Sequence, residues 1–162
     1  MIELMTKIRR GINALLSTIA AIILITMSVL VIYQVFTRYV LNNPADFTEE
    51  IIRYLLIWIC FIGAAYAFNS RQHMALLFVQ AKMKPAARRA LVIFSDVLVL
   101  LFAIFVMVMG GINLAVSARQ EFSSLLGIPR SLVYAMAPIA GVFTIVAQII
   151  NLVEDFTGIE IK

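Results

Sequence analysis

The sequence predicts an all-α integral membrane protein with four transmembrane helices and an amphipathic interfacial helix between spans 2 and 3. Three observations carry this. Of 162 residues, 63% are apolar and only 14% charged, where soluble domains run at about 45–50% and about 25%, and the mean hydropathy is +1.01. The apolar residues form four runs, each long enough for a hydrocarbon layer of about 30 Å. The cations flank those runs and gather on one side of them. Four crossings of about 20 residues each use about half of the chain. A single membrane domain over residues 1–162 follows, with no room for a large aqueous one.

Span 1 is placed at residues 11–37. Gly11 to Thr37 is 27 residues without a charge, and a helix of that length exceeds the hydrocarbon thickness and must tilt. Lys7, Arg9 and Arg10 ahead of it imitate a secretory signal. The run, however, outlasts a signal core of about 7–15 residues and lacks an A-x-A site, so it reads as an uncleaved anchor. A turn-rich stretch from Tyr39 to Asp46 follows. Asn43 with Pro44 behind it, or Asp46 with Glu49 three residues on, would start the next helix near Ala45 to Thr48. Span 2 is placed at 47–68.

Between Arg71 and Arg89 stand five basic residues and no acid. Met74, Leu77, Phe78 and Ala81 recur there at helical spacing, with His73, Gln80 and Lys84 on another face. Residues 72–84 therefore read as a short helix in the headgroup layer, with a surface loop as the alternative. Pro85 can open the following helix. Val97 to Ala118 is 22 residues without a charge, and span 3 is placed at 90–118. A polar turn from Arg119 to Arg130 ends in Gly127-Ile128-Pro129, and the uncharged Ser131 to Val153 makes span 4, at 131–153.

Nine cations lie beside the termini and the central connector: Lys7, Arg9, Arg10, five between Arg71 and Arg89, and Lys162. Arg38, Arg119 and Arg130 lie on the other side. The positive-inside rule puts both termini in the cytoplasm and the two loops at 38–46 and 119–130 outside.

Charges inside apolar helices cost about 2.5–3.5 kcal/mol each at the centre, so each invites a role. Glu49 and Glu50 open span 2, with Arg53 four and three residues on. They form either a local ion-pair cluster or, with Arg38, a surface that docks a partner. Asp96 reads as a polar anchor near the inner interface, paired with Arg88, Arg89 or another subunit, and His73 as an interfacial residue. Trp58, Gly63, Gly110 and Gly111 are candidates for close helix packing. Pro138 removes the helical partner of the Tyr134 carbonyl and predicts a kink. One histidine and one cysteine, Cys60, leave no metal set, haem pair or thiol pair, and no glycine-rich phosphate loop occurs. The residues thus suggest no catalytic group, no cofactor and no nucleic-acid partner. A small autonomous exporter lacks an acid in span 1, and an assembly or signalling subunit is the remaining alternative.

One succession of residues adds to this reading: Arg38-Tyr39-Val40-Leu41-Asn42-Asn43-Pro44, then Thr48-Glu49-Glu50, Arg53, Trp58, Phe61-Ile62-Gly63-Ala64-Ala65 and His73. Leu126-Gly127-Ile128-Pro129, Tyr134 and Pro138 follow as a turn into the last helix. The whole resembles the small membrane subunit, of DctQ type, of tripartite ATP-independent periplasmic (TRAP) transporters. That resemblance implies a multi-pass protein of the bacterial inner membrane, embedded in lipid and bound to a large permease subunit. It further implies a periplasmic binding protein that delivers an acidic substrate such as a C4-dicarboxylate or sialic acid. The large subunit would hold the substrate and sodium sites and move as an elevator, with this chain as non-catalytic scaffold.

Overall fold

A computed structural model describes residues 2–71 and 85–157. The interfacial segment expected at 72–84, His73 included, lies outside the described residues. Helix α1 spans Ile2–Tyr39 and α2 Asp46–Asn69. Helix α3, Pro85–Phe102, runs on into a π-helical stretch, Ala103–Gly110, and then α4, Gly111–Ser117, before a 3-10 turn at Ala118–Gln120. Helices α5, Arg130–Tyr134, and α6, Met136–Thr157, follow. Among the described residues, four stretches are long and apolar enough to cross a membrane: Glu3–Tyr39, Asp46–Asn69, Ala87–Gln120 and Arg130–Thr157.

The helix ends differ in detail from the sequence reading. Helix α1 begins well ahead of residue 11, since Lys7, Arg9 and Arg10 are good helix formers and a helix need not stop where the lipid does. Neither Asn43 nor Asp46 caps α2. Ala45 precedes it without a side-chain cap, and the Thr48 hydroxyl and amide both donate back to the Ala45 carbonyl, at 2.6 and 3.0 Å. Asn42 and Asn43 instead close α1. Asn42 adopts φ +50°, a left-handed conformation that asparagine tolerates, and the Asn43 amide reaches the Thr37 carbonyl at 3.1 Å.

The spans stand in the order 1–2–4–3: α1 packs on α2, α2 on α6, and α6 on α3 and the π-helical stretch. Span 4 is therefore the inner helix. Half of its apolar window is buried within the chain, against 11% for each of the other three. The packed seam consists of Leu16 and Ile23, Ile62 and Ala65, Ala103 and Met107, and Met136 and Ala140, two from each span, with Trp58 partly buried against it. Water does not drive such packing in lipid, so close contact must, and small residues allow it. The far faces of spans 1 and 3 stay open. Leu24, Ile25, Val29, Ile32 and Phe36 line the first, and Phe94, Leu98, Phe102, Phe105 and Met109 the second.

Spans 3 and 4 approach closest at two glycines. A Cβ on Gly111 would sit 2.7 Å from Pro138 Cδ, and one on Gly141 would sit 2.9 Å from Met107 Cβ and Val108 Cγ2. Gly141 sits against the π-helical segment of span 3, and Gly111, the first residue of α4 just after that segment, sits against Ala137 and Pro138, just past the break at Ala135 between α5 and α6. Gly110, by contrast, faces only the Phe105 carbonyl of its own helix at 3.5 Å. Gly63 meets nothing within 4 Å. Its neighbours Ile62 and Ala65 take the buried face of α2, so Gly63 points outward and makes no close approach within this chain.

Candidate functional site

Polar side chains collect at the two ends of the bundle. At the loop end, Arg38 is exposed in the last turn of α1, and Tyr33 and Phe47 bring α1 and α2 together with ring centroids 6.4 Å apart. Arg53 pairs with Glu49 at 3.0 Å on the exposed face of α2. Glu50 does not join them. It lies about 100° around the helix from Glu49 and accepts a hydrogen bond from the Tyr54 hydroxyl at 2.7 Å, while its second oxygen is buried without a hydrogen-bond partner among the described residues, with Ser123 of the connector between spans 3 and 4 nearby. The expected trio therefore divides into an exposed ion pair and an inward carboxylate.

That connector is an ordered hairpin. Phe122 and Pro129 form an antiparallel bridge, the Ser123 amide donates to the Ile128 carbonyl at 2.9 Å, and the Arg130 amide donates to the Glu121 carbonyl at 2.8 Å. Gly127 turns the chain at φ +63°, a conformation that suits glycine, and Pro129 holds extended backbone just before α5. Arg130 and Glu121 pair across the hairpin at 3.4 Å. Phe122 and Leu125 are exposed on it, while Ser123 is 5% exposed and faces Glu50. Tyr134 follows, half-buried, at the end of α5.

At the end that carries the termini, a denser network ties the spans. Arg9 donates from both terminal nitrogens to Glu154, at 2.7 and 2.9 Å, and from one of them to Asn151 Oδ1 at 2.7 Å. Arg71 reaches Glu154 at 2.9 Å and Asp155 at 2.8 Å. It does so from φ +52°, which a side-chain-bearing residue adopts at a cost of about 1–2 kcal/mol. Asn69 donates to the Arg9 carbonyl at 3.1 Å and to Asn13 Oδ1 at 2.8 Å, and Asn151 to the Phe68 carbonyl at 3.2 Å. Arg89 brings in α3 by donating to the Asp155 carbonyl at 2.7 Å. The half-buried Asp96 carboxyl lies beside Asp155, with Arg71 and Glu154 near.

The sequence reading did not single out Arg9, Asn13, Asn69, Arg71, Asn151, Glu154 or Gly141. A signal was present. With an even number of spans, the cations before span 1 and the acids after span 4 share one side, and amides in apolar helices seek one another. Among the described residues, no group of three or more His, Cys, Asp or Glu is placed to hold a metal ion. What this geometry does is join helices, and its polar groups stand at the ends of the spans.

A family model described as tripartite ATP-independent periplasmic transporters, DctQ component, matches residues 27–158. The chain belongs to the DctQ family. Its relatives agree along nearly the whole length. A TRAP transporter small permease protein of Haemophilus influenzae is 31% identical over 151 residues, covering 93% of each chain. The sialic acid TRAP transporter small permease protein of Vibrio cholerae is 28% identical over 94% of this chain and 89% of that one. The ectoine TRAP transporter small permease protein of Halomonas elongata is 27% identical over 91% and 79%. This DctQ-family chain is thus a small, multi-pass permease subunit of a transporter, and such subunits work with a large permease. Small permeases named for sialic acid and for ectoine resemble it about equally.

Proposed function

We propose that this chain is the non-catalytic scaffold of a TRAP transporter in the bacterial inner membrane, with both termini and the central connector in the cytoplasm. It seats the large permease, which carries out sodium-coupled uptake of an acidic substrate delivered by a periplasmic binding protein. The open 1–2–4–3 row is the observation that carries this reading. Spans 1 and 3 each leave a continuous apolar face that the described residues do not cover, and the polar networks stand at the two ends of the bundle, whereas a transporter core would place converging polar groups at mid-membrane. The large permease occupies one of those faces and lipid the other. Sialic acid and C4-dicarboxylates are the substrate classes proposed, and the choice between them resides in the partner chains. Arg38, Glu49 and Arg53, with the hairpin of residues 121–130, form the outward surface that receives the binding protein.

Co-purification with the large permease, followed by uptake into proteoliposomes with and without this subunit, tests the assignment. Labelled N-acetylneuraminate and succinate are offered with an imposed sodium gradient and without it. Uptake that needs both chains, the binding protein and sodium is expected. Solute flux by this chain alone, or a stable monomer that ignores the permease, refutes the scaffold.

A further inference from the structure

The outer ends of spans 3 and 4 stand apart from the packing that holds the rest of the chain. Among the described residues, none of the eight that form the packed seam lies between 111 and 134, and neither does any half-buried residue packed against them. That segment closes on itself instead. Helix α4, the 3-10 turn and α5 pack on one another, and the hairpin carries its own bridge and its Arg130–Glu121 pair, with α5 also touching α2. Both helices lose regular bonding where they enter the segment. In span 3 the Gly111 amide still reaches five residues back, to the Val106 carbonyl, before α-helix resumes. In span 4 Pro138 has no amide to offer the Tyr134 carbonyl, and the Ile139 amide reaches the Ala135 carbonyl only at 3.4 Å. These two irregularities touch, since a Cβ on Gly111 would lie 2.7 Å from Pro138 Cδ and 3.2 Å from Ala137 Cβ.

We propose that residues 111–134 form a cap that tilts as one piece on a paired hinge, Gly110-Gly111 in span 3 and residues 135–138 in span 4, while the inner part of the bundle stays fixed. Helices bend where the i to i−4 ladder is already interrupted, at prolines and at π-type turns, and the glycine pair adds backbone freedom at the first joint. Bending there sacrifices few regular hydrogen bonds. Two adjoining joints leave one easy motion, rotation about the line through both, which tips the cap out of the plane of spans 3 and 4. Tilt within that plane would have to shorten one helix and lengthen the other. The opposite end cannot follow, because Arg9, Asn69, Asn151 and Glu154 tie spans 1, 2 and 4 together there and Arg89 adds span 3. From Gly111 to Gln120 the lever is about 16 Å long, at 1.5 Å per α-helical and 2.0 Å per 3-10 residue. A tilt of about 20°, the size of a modest proline kink, swings the hairpin by about 5 Å. The motion does not depend on the substrate or the partners proposed above.

The test uses the full chain with a cysteine-free large permease in lipid nanodiscs, in a Cys60→Ser background. Pairs of spin labels report distance distributions from the outer end of α1, at Tyr39→Cys, to the hairpin at Leu125→Cys and to α4 at Leu114→Cys. A third pair, Leu15→Cys with Phe94→Cys, spans the inner part of the bundle; all five sites are exposed. The inner distribution is expected to be narrow, the one to Leu125 broader by about 5 Å, and the one to Leu114 between them, in keeping with its shorter lever. Pro138→Ala restores the missing amide, and deletion of Val106 lets the π stretch relax to α-helix. Each is expected to narrow the outer distribution by about half, with the inner pair unchanged as proof that the fold is kept. Pro138→Ala, the milder change, decides if the deletion disturbs the inner pair. An outer distribution as narrow as the inner one overturns the hinge, and so does a width that Pro138→Ala leaves unreduced. A broad Leu125 pair beside a Leu114 pair as narrow as the inner one would show the hairpin moving alone and overturns the rigid cap.

Discussion

Replacing Glu154 by alanine should be the most damaging single change at the end that carries the termini. Its side chain is 8% exposed and receives both terminal nitrogens of Arg9, itself 11% exposed, together with Arg71 Nε. Removing one partner of a buried ion pair costs about 3–5 kcal/mol, because the remaining charge is left without compensation. Arg71 is about one-third exposed and turns partly to Asp155 and to water, so its share is discounted and the lower part of that range applies. Glu154→Ala should therefore cost about 3 kcal/mol, a factor of roughly 100 in the folding equilibrium. Arg71→Ala should cost about 1 kcal/mol or less. Trp58 is the only tryptophan and lies partly buried against the seam, so its fluorescence follows unfolding as detergent micelles are titrated with dodecyl sulfate. A double-mutant cycle of Arg9→Ala and Glu154→Ala isolates the pair, with a coupling of about 1–3 kcal/mol expected. A Glu154→Ala cost under about 0.5 kcal/mol, or strict additivity in the cycle, would refute the buried clamp.

Gly111→Val and Gly141→Val should force spans 3 and 4 apart, since even a Cβ at these positions comes within 3 Å of the facing helix; a loss of about 1–3 kcal/mol is expected in the same titration. Gly63→Val should leave that titration unmoved, because nothing within the chain lies within 4 Å; reduced recovery of the large permease with it would place the partner on that face. Reversing the exposed charges as Arg38→Glu with Arg53→Glu should weaken capture of the binding protein in a salt-dependent way while complex is still recovered, and normal docking would reduce Glu49–Arg53 to a local pair. In a Cys60→Ser background, cysteine at Ser124 should react with an impermeant maleimide on intact spheroplasts and cysteine at Arg10 only after permeabilisation; the reverse pattern would invert the topology.

The four crossings were legible because long charge-free runs leave few alternatives in lipid, and the helix break near Tyr134 because proline lacks an amide donor. The spatial order of the spans was not. Nothing local in Gly63 distinguishes it from Gly111; only the partner across the gap, Pro138 for one and open space for the other, separates them. The same holds for Glu50, which the spacing to Arg53 drew into an ion pair and which the fold turns toward Ser123, 73 residues further along. The clamp at Glu154 was half visible, as opposite charges at the same depth. Placing Arg9 and Arg71 on Glu154 required the rotation of α1 about its axis and the left-handed backbone at Arg71.

The π-helical stretch from Ala103 to Gly110 bears on how this chain could vary in length. A π turn accommodates an additional residue relative to an α-helix, so the stretch behaves as an insertion already absorbed within the bilayer. Deleting one residue there could restore ordinary α-helix and leave Gly111 seated on Pro138. The same deletion in α3 nearer Asp96 would swing everything beyond it by about 100° and carry that glycine off its contact. Span 3 thus holds a slack residue in its middle, where shortening would be forgiven, and little tolerance on either side.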